Sequence, residues 1–217
     1  MFITFEGLDG SGKTTIISKL HHQLVKDYPF LEMVFTREPG GENVPEAEKL
    51  REIILNNETK LSHVSEALLY SASRRMHLER VVWPALKSNK LVICDRYIDS
   101  FYAYQGFARG LGYDYAKSLT ELVIEKTYPD ITFFFDISPE ESRKRREANR
   151  LVIDRLENEK QAFHEKVYNG YQTLINEEPN RFMIVDATKT PDEVFYDVYN
   201  QLINSHQFKE YIKNYAK

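Results

Sequence analysis

The chain has one cysteine, Cys94, one tryptophan, and no apolar stretch approaching the roughly 18 residues that a membrane-crossing helix needs. A lone cysteine excludes an intramolecular disulfide framework and favours a reducing compartment. Nine glycines and eight prolines among 217 residues exclude a collagen-like chain. Positive charge is also in short supply. Twenty-nine Lys and Arg against 33 Asp and Glu leave a net charge of -4, which argues against nucleic-acid binding driven by global charge. The opening MFITFEGLDG lacks the basic-then-apolar layout of a signal peptide. What the chain does have is a 42% hydrophobic and 13% aromatic composition, ample for a packed core. The expectation is a soluble cytoplasmic protein of one domain over residues 1–217, with no nucleic-acid or membrane partner.

Short apolar runs alternate with longer segments of helical period. The runs are Phe2 to Phe5, Met33 to Thr36, Leu91 to Cys94, Ile131 to Ile137 and Phe182 to Val185. Their β-branched and aromatic content, with almost no polar interruption, predicts strands buried on both faces, as in a parallel sheet. Between them, Ile17, Leu20 and Leu24 mark one face of a helix over Thr14 to Lys26. Ser138-Pro139-Glu140-Glu141 and Thr190-Pro191-Asp192-Glu193 carry capping signals for two helix starts. Phe163, Val167, Tyr171, Leu174 and Ile175 make a further stripe within Asp154 to Ile175. The expected fold class is α/β, with about five parallel strands flanked by helices on both faces.

The first strand runs into Gly7-Leu8-Asp9-Gly10-Ser11-Gly12-Lys13-Thr14-Thr15, which fits G-x-x-x-x-G-K-[ST]. Such a loop wraps a phosphate chain with inward-pointing backbone N–H groups, and the following helix offers its positive N-terminus. Lys13 would neutralise β/γ-phosphate oxygens, and the Thr14 hydroxyl would ligate Mg²⁺. An accidental glycine-rich turn would not require a strand before it and a helix after it.

Other units leave alternatives open. Asp95 ends an apolar strand and could lie near the metal, but Asp136 and Asp186 end apolar runs too. Arg96 next to it could hold a second phosphate or simply make a surface ion pair. Arg143, Lys144, Arg145, Arg146 and Arg150 could form a solvated helix face, a nucleic-acid patch, or a lid carrying an arginine to a transferring phosphoryl group. No aromatic residue interleaves with them, so a stacking platform for single strands is lacking. Thr36-Arg37-Glu38-Pro39-Gly40-Gly41 reads as a tight loop, in which Arg37 and Glu38 exceed the needs of turn chemistry. Tyr70 and Arg74 share a helix face, for packing or for gripping a planar base. There is no N-K-x-D guanine-specificity element, which weighs against a GTPase switch. The six histidines and Cys94 show no zinc spacing. The polar tail from Ser205 to Lys217 has no functional reading.

Taken together, the glycine loop, Thr36-Arg37-Glu38-Pro39-Gly40-Gly41 and Asp95-Arg96-Tyr97-Ile98-Asp99-Ser100-Phe101-Tyr102-Ala103-Tyr104-Gln105-Gly106 resemble the bacterial thymidylate kinase family of P-loop nucleoside-monophosphate kinases. The resemblance implies a three-layer P-loop NTPase fold, usually a homodimer, and the Mg²⁺-dependent reaction of ATP with dTMP to give ADP and dTDP. It implies that residues 7–15 bind ATP, that Thr14 and Asp95 face the metal, and that Arg96 clamps the dTMP phosphate with help from Arg37 and Arg51. Asp9 would lie near the sugar and the acceptor phosphate. Tyr70 would stack on thymine and Arg74 would donate to a base carbonyl. Glu38, Ser100 and Gln105 would complete the acceptor pocket, and Tyr104 would lie under the sugar, where a 2′-hydroxyl crowds it. The loop at Ala187-Thr188-Lys189 would approach adenine. Phe101 stands where relatives commonly carry a small or polar residue. Members of the family place a catalytic arginine in the P-loop or in a lid. Gly10 and Ser11 follow Asp9 here, so the resemblance implies a lid arginine, within a mobile lid at about 140–155. Alignment back from Asp154-Arg155-Leu156-Glu157 puts it at Arg150, with Arg146 next.

Overall fold

A computed structural model of the chain describes residues 1–41, 43–149 and 154–215. Along it run β1 (Phe2–Gly7), α1 (Lys13–Asp27), β2 (Met33–Arg37), α2 (Pro45–Leu55), α3 (His63–His77), α4 (Trp83–Lys87), β3 (Leu91–Asp95), α5 (Ile98–Phe101), α6 (Tyr113–Ile124), β4 (Ile131–Asp136), α7 (Pro139–Asn149), α8 (Gln161–Glu177), β5 (Phe182–Asp186), α9 (Pro191–Asn204) and α10 (His206–Tyr215). Two wider π-type segments, Leu78–Val82 and Tyr102–Ala108, join α3 to α4 and extend α5.

The five strands pair in parallel in the order β2-β3-β1-β4-β5. All their carboxyl ends therefore lie on one edge, with β1 central, between β3 and β4. That edge, where the chain changes direction across the sheet, is where open α/β folds bind ligands. The register puts Arg37 beside Asp95, and Asp95 beside Phe5.

Alternation along each strand feeds two cores, one per face. Phe2, Val92, Cys94 and Phe134 join α3, α8 and the Tyr102–Ala108 segment on one side. Ile3, Phe5, Leu91, Ile93, Ile131, Phe133 and Phe135 join α1, α9 and α10 on the other. Both sets are almost wholly buried, which explains the near-continuous apolar runs.

Helix starts follow the sequence signals. Thr190 and Glu193 form a reciprocal capping box at α9. The Ser138 hydroxyl accepts from the N–H of Glu141 at α7. The stripe after Asp154 does not begin a helix there. Asp154 Oδ1 accepts from the N–H groups of both Leu156 and Glu157, which stabilises a turn instead, and α8 starts at Gln161. The tail has a structural role at the opposite sheet edge. Phe208 is buried, the Tyr211 hydroxyl donates to Asn89 C=O before β3, and the Tyr215 hydroxyl accepts from the Glu32 N–H before β2.

Candidate active site

The glycine loop leaves β1 and enters α1 as its sequence requires. Gly7 has φ +135°, and a Cβ there would sit 2.7 Å from the Phe135 carbonyl oxygen of β4, so only glycine lets the loop turn so close to the sheet. Gly12 caps α1 with φ +92°. Lys13 folds back over the loop, donating to Gly7 C=O (3.2 Å), Leu8 C=O (3.1 Å) and Ser11 Oγ (3.4 Å). Burial, and then the neighbouring Arg96, lower its pKa to about 8. Thr14 Oγ1 donates to Asp95 Oδ2 at 3.1 Å. Asp95 Oδ1 is buried and has no hydrogen-bond partner among the described residues.

A cleft of about 400 Å³ opens in front of this loop. Asp9, Gly10, Gly12, Lys13, Thr14 and Thr15 line its near side. Arg37, Arg51 and Arg96 line it from other elements. Arg96 follows β3 in a left-handed conformation (φ +69°), fixed by its N–H donating to Phe5 C=O. Its guanidinium donates to Asp9 Oδ1 at 2.7 Å, Ser100 Oγ at 3.0 Å and the Tyr171 hydroxyl at 3.3 Å. Arg51 donates to Pro39 C=O and Arg37 pairs with Glu48 through both terminal nitrogens, so both arms are held at the cleft. Burial and the nearby Arg37 lower the Arg51 pKa.

The far end of the cleft is aromatic. Tyr70, Phe101, Tyr97 and Tyr104 line it, together with Arg74 and Gln105. Arg74 lies over the rings of Phe101 and Tyr97 at 5.1 and 5.4 Å. Its Nε donates to Glu38 Oε2 at 2.8 Å, and its Nη1 is buried without a hydrogen-bond partner among the described residues. Glu38 lines the cleft, but both its oxygens are engaged: Oε1 meets His77 Nδ1 at 2.9 Å, and His77 Nε2 meets Thr36 Oγ1 at 2.7 Å. The adjacent Arg74 and His77 hold the Glu38 pKa below the ordinary range against the upward push of burial. Tyr104 sits against Asp9 Oδ2 (3.2 Å) and 5.5 Å from the Arg96 guanidinium. Ser100 also lines the cleft, with its hydroxyl committed to Arg96 and Glu6.

The basic cluster divides on inspection. Arg143 and Lys144 make exposed ion pairs along α7. Arg145 reaches Ala187 C=O at 2.9 Å, in the loop after β5. Arg146 is buried, donating to Glu157 C=O at 2.7 Å and meeting His164 Nε2 at 3.3 Å, and it does not line the cleft. Arg150 lies outside the described residues. The start of α7 sits on the glycine loop, where the Ser142 hydroxyl donates to Asp9 C=O at 2.7 Å.

Two buried carboxylates escaped the sequence reading. Glu66 of α3 accepts from Gln105 and Arg109 on Oε1 and from Arg109 and Arg155 on Oε2, fastening the segment after residue 153 to the wall behind the base end. Glu6 of β1 accepts from the Tyr97 N–H, Ser100 and Tyr171. Their signal was present in weak form. A glutamate inside an apolar strand, or on a helix face turned to the core, is costly unless its partners come from elsewhere in the fold.

Two sets of cations lining one cleft, Lys13 in the glycine loop and three arginines from other elements, suit transfer between two phosphorylated molecules, whereas a hydrolytic switch needs only the first. The fold and the cleft thus define a P-loop phosphotransferase. A family profile described as thymidylate kinase matches residues 5–198. Thymidylate kinase from Mycoplasmopsis agalactiae is 56% identical over 214 residues, covering 99% of this chain and 100% of that one. The enzyme from Staphylococcus haemolyticus is 46% identical, covering 94% and 97%. A crystal structure of thymidylate kinase from Ehrlichia chaffeensis superposes with a TM-score of 0.76 at 35% identity, covering 94% of this chain and 98% of that one. The chain belongs to the thymidylate kinase family.

Proposed function

We propose that the protein transfers the γ-phosphoryl group of ATP to dTMP, giving ADP and dTDP for dTTP synthesis, with donor and acceptor held on the two sides of the described cleft. The observation that carries the assignment of sides is the second set of cations, Arg37, Arg51 and Arg96, that lines the same cleft from outside the glycine loop. An unphosphorylated nucleoside would bring no anion to this wall of three guanidiniums. Beyond that wall, Arg74 Nη1 supports a base carbonyl acceptor and Tyr70 a stacking surface, with Tyr104 packed where a ribose 2′-hydroxyl would intrude.

In this reading an oxygen of the dTMP phosphate attacks the γ-phosphorus, and the bond from that phosphorus to the β–γ bridging oxygen breaks, releasing ADP. The nucleophile is already anionic, so positioning and electrostatic stabilisation do the work. Lys13 would meet the β- and γ-oxygens and Arg96 the acceptor phosphate, with Asp9 holding Arg96 in place. Arg146 is committed to Glu157 C=O, which leaves Arg150, on sequence grounds, as the lid arginine. Arg150→Ala should lower kcat by on the order of a thousandfold with little change in the dTMP KM, and an unchanged kcat would remove the assignment.

Magnesium belongs to the same proposal. Thr14 Oγ1 and the Asp95 carboxylate are hard oxygen donors, and the partnerless Asp95 Oδ1 suits a divalent cation better than a dry core. Thr14 and Asp95 would hold the ion, which when bound would neutralise charge on the transferring phosphates. No described helix is long and apolar enough to cross a membrane, and a cytoplasmic location is part of this reading. So is a homodimer, supported by the exposed Val64 and Leu68 on α3 and Leu122 (79% exposed) on the neighbouring α6.

A coupled ADP-release assay with dTMP, dUMP, dCMP and thymidine tests the function. The prediction is fastest turnover of dTMP. Turnover of thymidine in preference to dTMP would overturn it.

A further inference from the structure

Glu6 lies between Phe5 and Gly7 in the central strand, fully buried and off the cleft wall, so it touches neither bound nucleotide in the reading above. All that it does touch leads to Arg96. Its Oε1 accepts from the N–H of Tyr97 at 2.7 Å, pinning the residue that follows the left-handed Arg96. Its Oε2 accepts two hydroxyls, Ser100 at 2.5 Å and Tyr171 at 2.8 Å. Those same two oxygens receive Nη1 of Arg96.

A hydroxyl has a single proton. The two hydroxyls also lie 2.9 Å from each other, and with both protons drawn to the carboxylate rather than shared between them, Ser100 and Tyr171 offer Arg96 lone pairs. Asp9 fixes the other terminal nitrogen, Nη2. The guanidinium is thereby oriented from both sides, and the inner side depends on a charge it never contacts directly. Burial and the nearby Asp99 push the Glu6 pKa above the ordinary carboxylate range, while Arg96 and the two hydroxyls oppose that push.

We propose that Glu6 is a positioning residue for acceptor binding: it sets the polarity of the Ser100 and Tyr171 hydroxyls so that they hold Arg96 in the orientation that receives the acceptor phosphate. This rests on the reading of Arg96 as the acceptor clamp. The glycine loop would bind its phosphates through backbone N–H groups and Lys13, which is held by the Gly7 and Leu8 carbonyls; the network touches that loop only through the bond of Arg96 to Asp9.

Glu6→Gln is the direct probe, because it keeps the volume and removes the double acceptor. However the carboxamide turns, its NH₂ faces either the Tyr97 N–H or the hydroxyl pair. If it faces the pair, the hydroxyls lose their common acceptor, and their protons turn to one another across 2.9 Å or toward Arg96, so the arrangement that presents two lone pairs to Nη1 is no longer enforced. The expected result is a rise of about tenfold in the dTMP KM, with the ATP KM within about twofold of wild type. In a Ser100→Ala/Tyr171→Phe background, where no hydroxyl remains to turn, adding Glu6→Gln should change the dTMP KM by less than about threefold. A purely structural role would not produce that loss of effect. Should Glu6→Gln fail to fold, Tyr171→Phe keeps the carboxylate and removes one of the two acceptors on Nη1, and should raise the dTMP KM by about threefold with the ATP KM unchanged.

The inference is overturned if Glu6→Gln leaves the dTMP KM unchanged or raises both KM values alike. It is also overturned if the full effect persists in the background without hydroxyls, or if Tyr171→Phe leaves the dTMP KM unchanged. Failure of wild-type enzyme to turn over dTMP would instead overturn the functional reading on which the inference rests.

Discussion

The two sides of the cleft are built in opposite ways. The donor side comes from nine consecutive residues, 7–15, that bring a strand end, a turn and a helix N-terminus together. What it would offer a phosphate chain is backbone N–H groups and one lysine, which the loop's own carbonyls hold. The acceptor side draws Arg37 from β2, Arg51 from α2, Tyr70 and Arg74 from α3, and Arg96 and Tyr104 from beyond β3. Its side chains keep their geometry only through buried partners: Glu38 and His77 behind Arg74, and Asp9, Ser100 and Tyr171 around Arg96. A local site tolerates change in its surroundings. An assembled one fails wherever a supporting ion pair is broken.

Between the two sides of the cleft, the larger expected effect falls on the donor side, because one ammonium carries its charge there. Lys13→Ala should lower kcat by on the order of a thousandfold, read by ADP release at saturating dTMP. A loss of less than about tenfold would mean the loop does not use Lys13 on the transferring group. On the acceptor side the grip is shared, so Tyr70→Ala should raise the dTMP KM by about tenfold while kcat stays within about threefold. Unaltered dTMP affinity would return Tyr70 to a packing role.

The smallest effect expected is a pH dependence specific to the donor side. Burial lowers the Lys13 pKa to about 8, below its ordinary 10.5. The free protein should therefore lose ATP affinity as pH rises through about 8, by a fewfold at pH 9, read by titration calorimetry. The sign for stability is opposite. Between about 8 and 10.5 the unfolded chain binds more protons at this lysine than the folded one, so its contribution to stability rises with pH across that window. Lys13→Arg should flatten the binding profile, and a wild-type profile flat from pH 7 to 9 would contradict the shift.

The same contrast explains what could be read from the sequence. The five strands and the α1, α7 and α9 helix starts were legible because apolar runs and caps are local signals. So was the glycine loop, whose chemistry is contiguous. Arg96, Arg74 and Tyr70 carried only ambiguous local signals, and the family resemblance gave them roles. The partnership of Glu38 with Arg74 spans 36 positions, and that of Glu6 with Tyr171 spans 165. Nothing in either flank announces such a pairing. The stripe within Asp154 to Ile175 left the α8 start open, because the Asp154 carboxylate is spent on a turn that no apolar period marks. The tail was unreadable because Tyr211 and Tyr215 bond backbone groups more than 100 residues away.

The central claim is that donor and acceptor are held by two differently built sides of one cleft that meet at the Asp9–Arg96 pair, with Arg96 serving the acceptor. Calorimetric titration of Arg96→Gln with ATP and, separately, with dTMP tests it most directly. The account predicts that dTMP affinity falls by at least about thirtyfold while ATP affinity stays within about twofold, since Lys13 is held by the Gly7 and Leu8 carbonyls and Arg96 reaches the loop only through the Asp9 side chain. An equal loss of both affinities, or an undiminished affinity for dTMP, would contradict it.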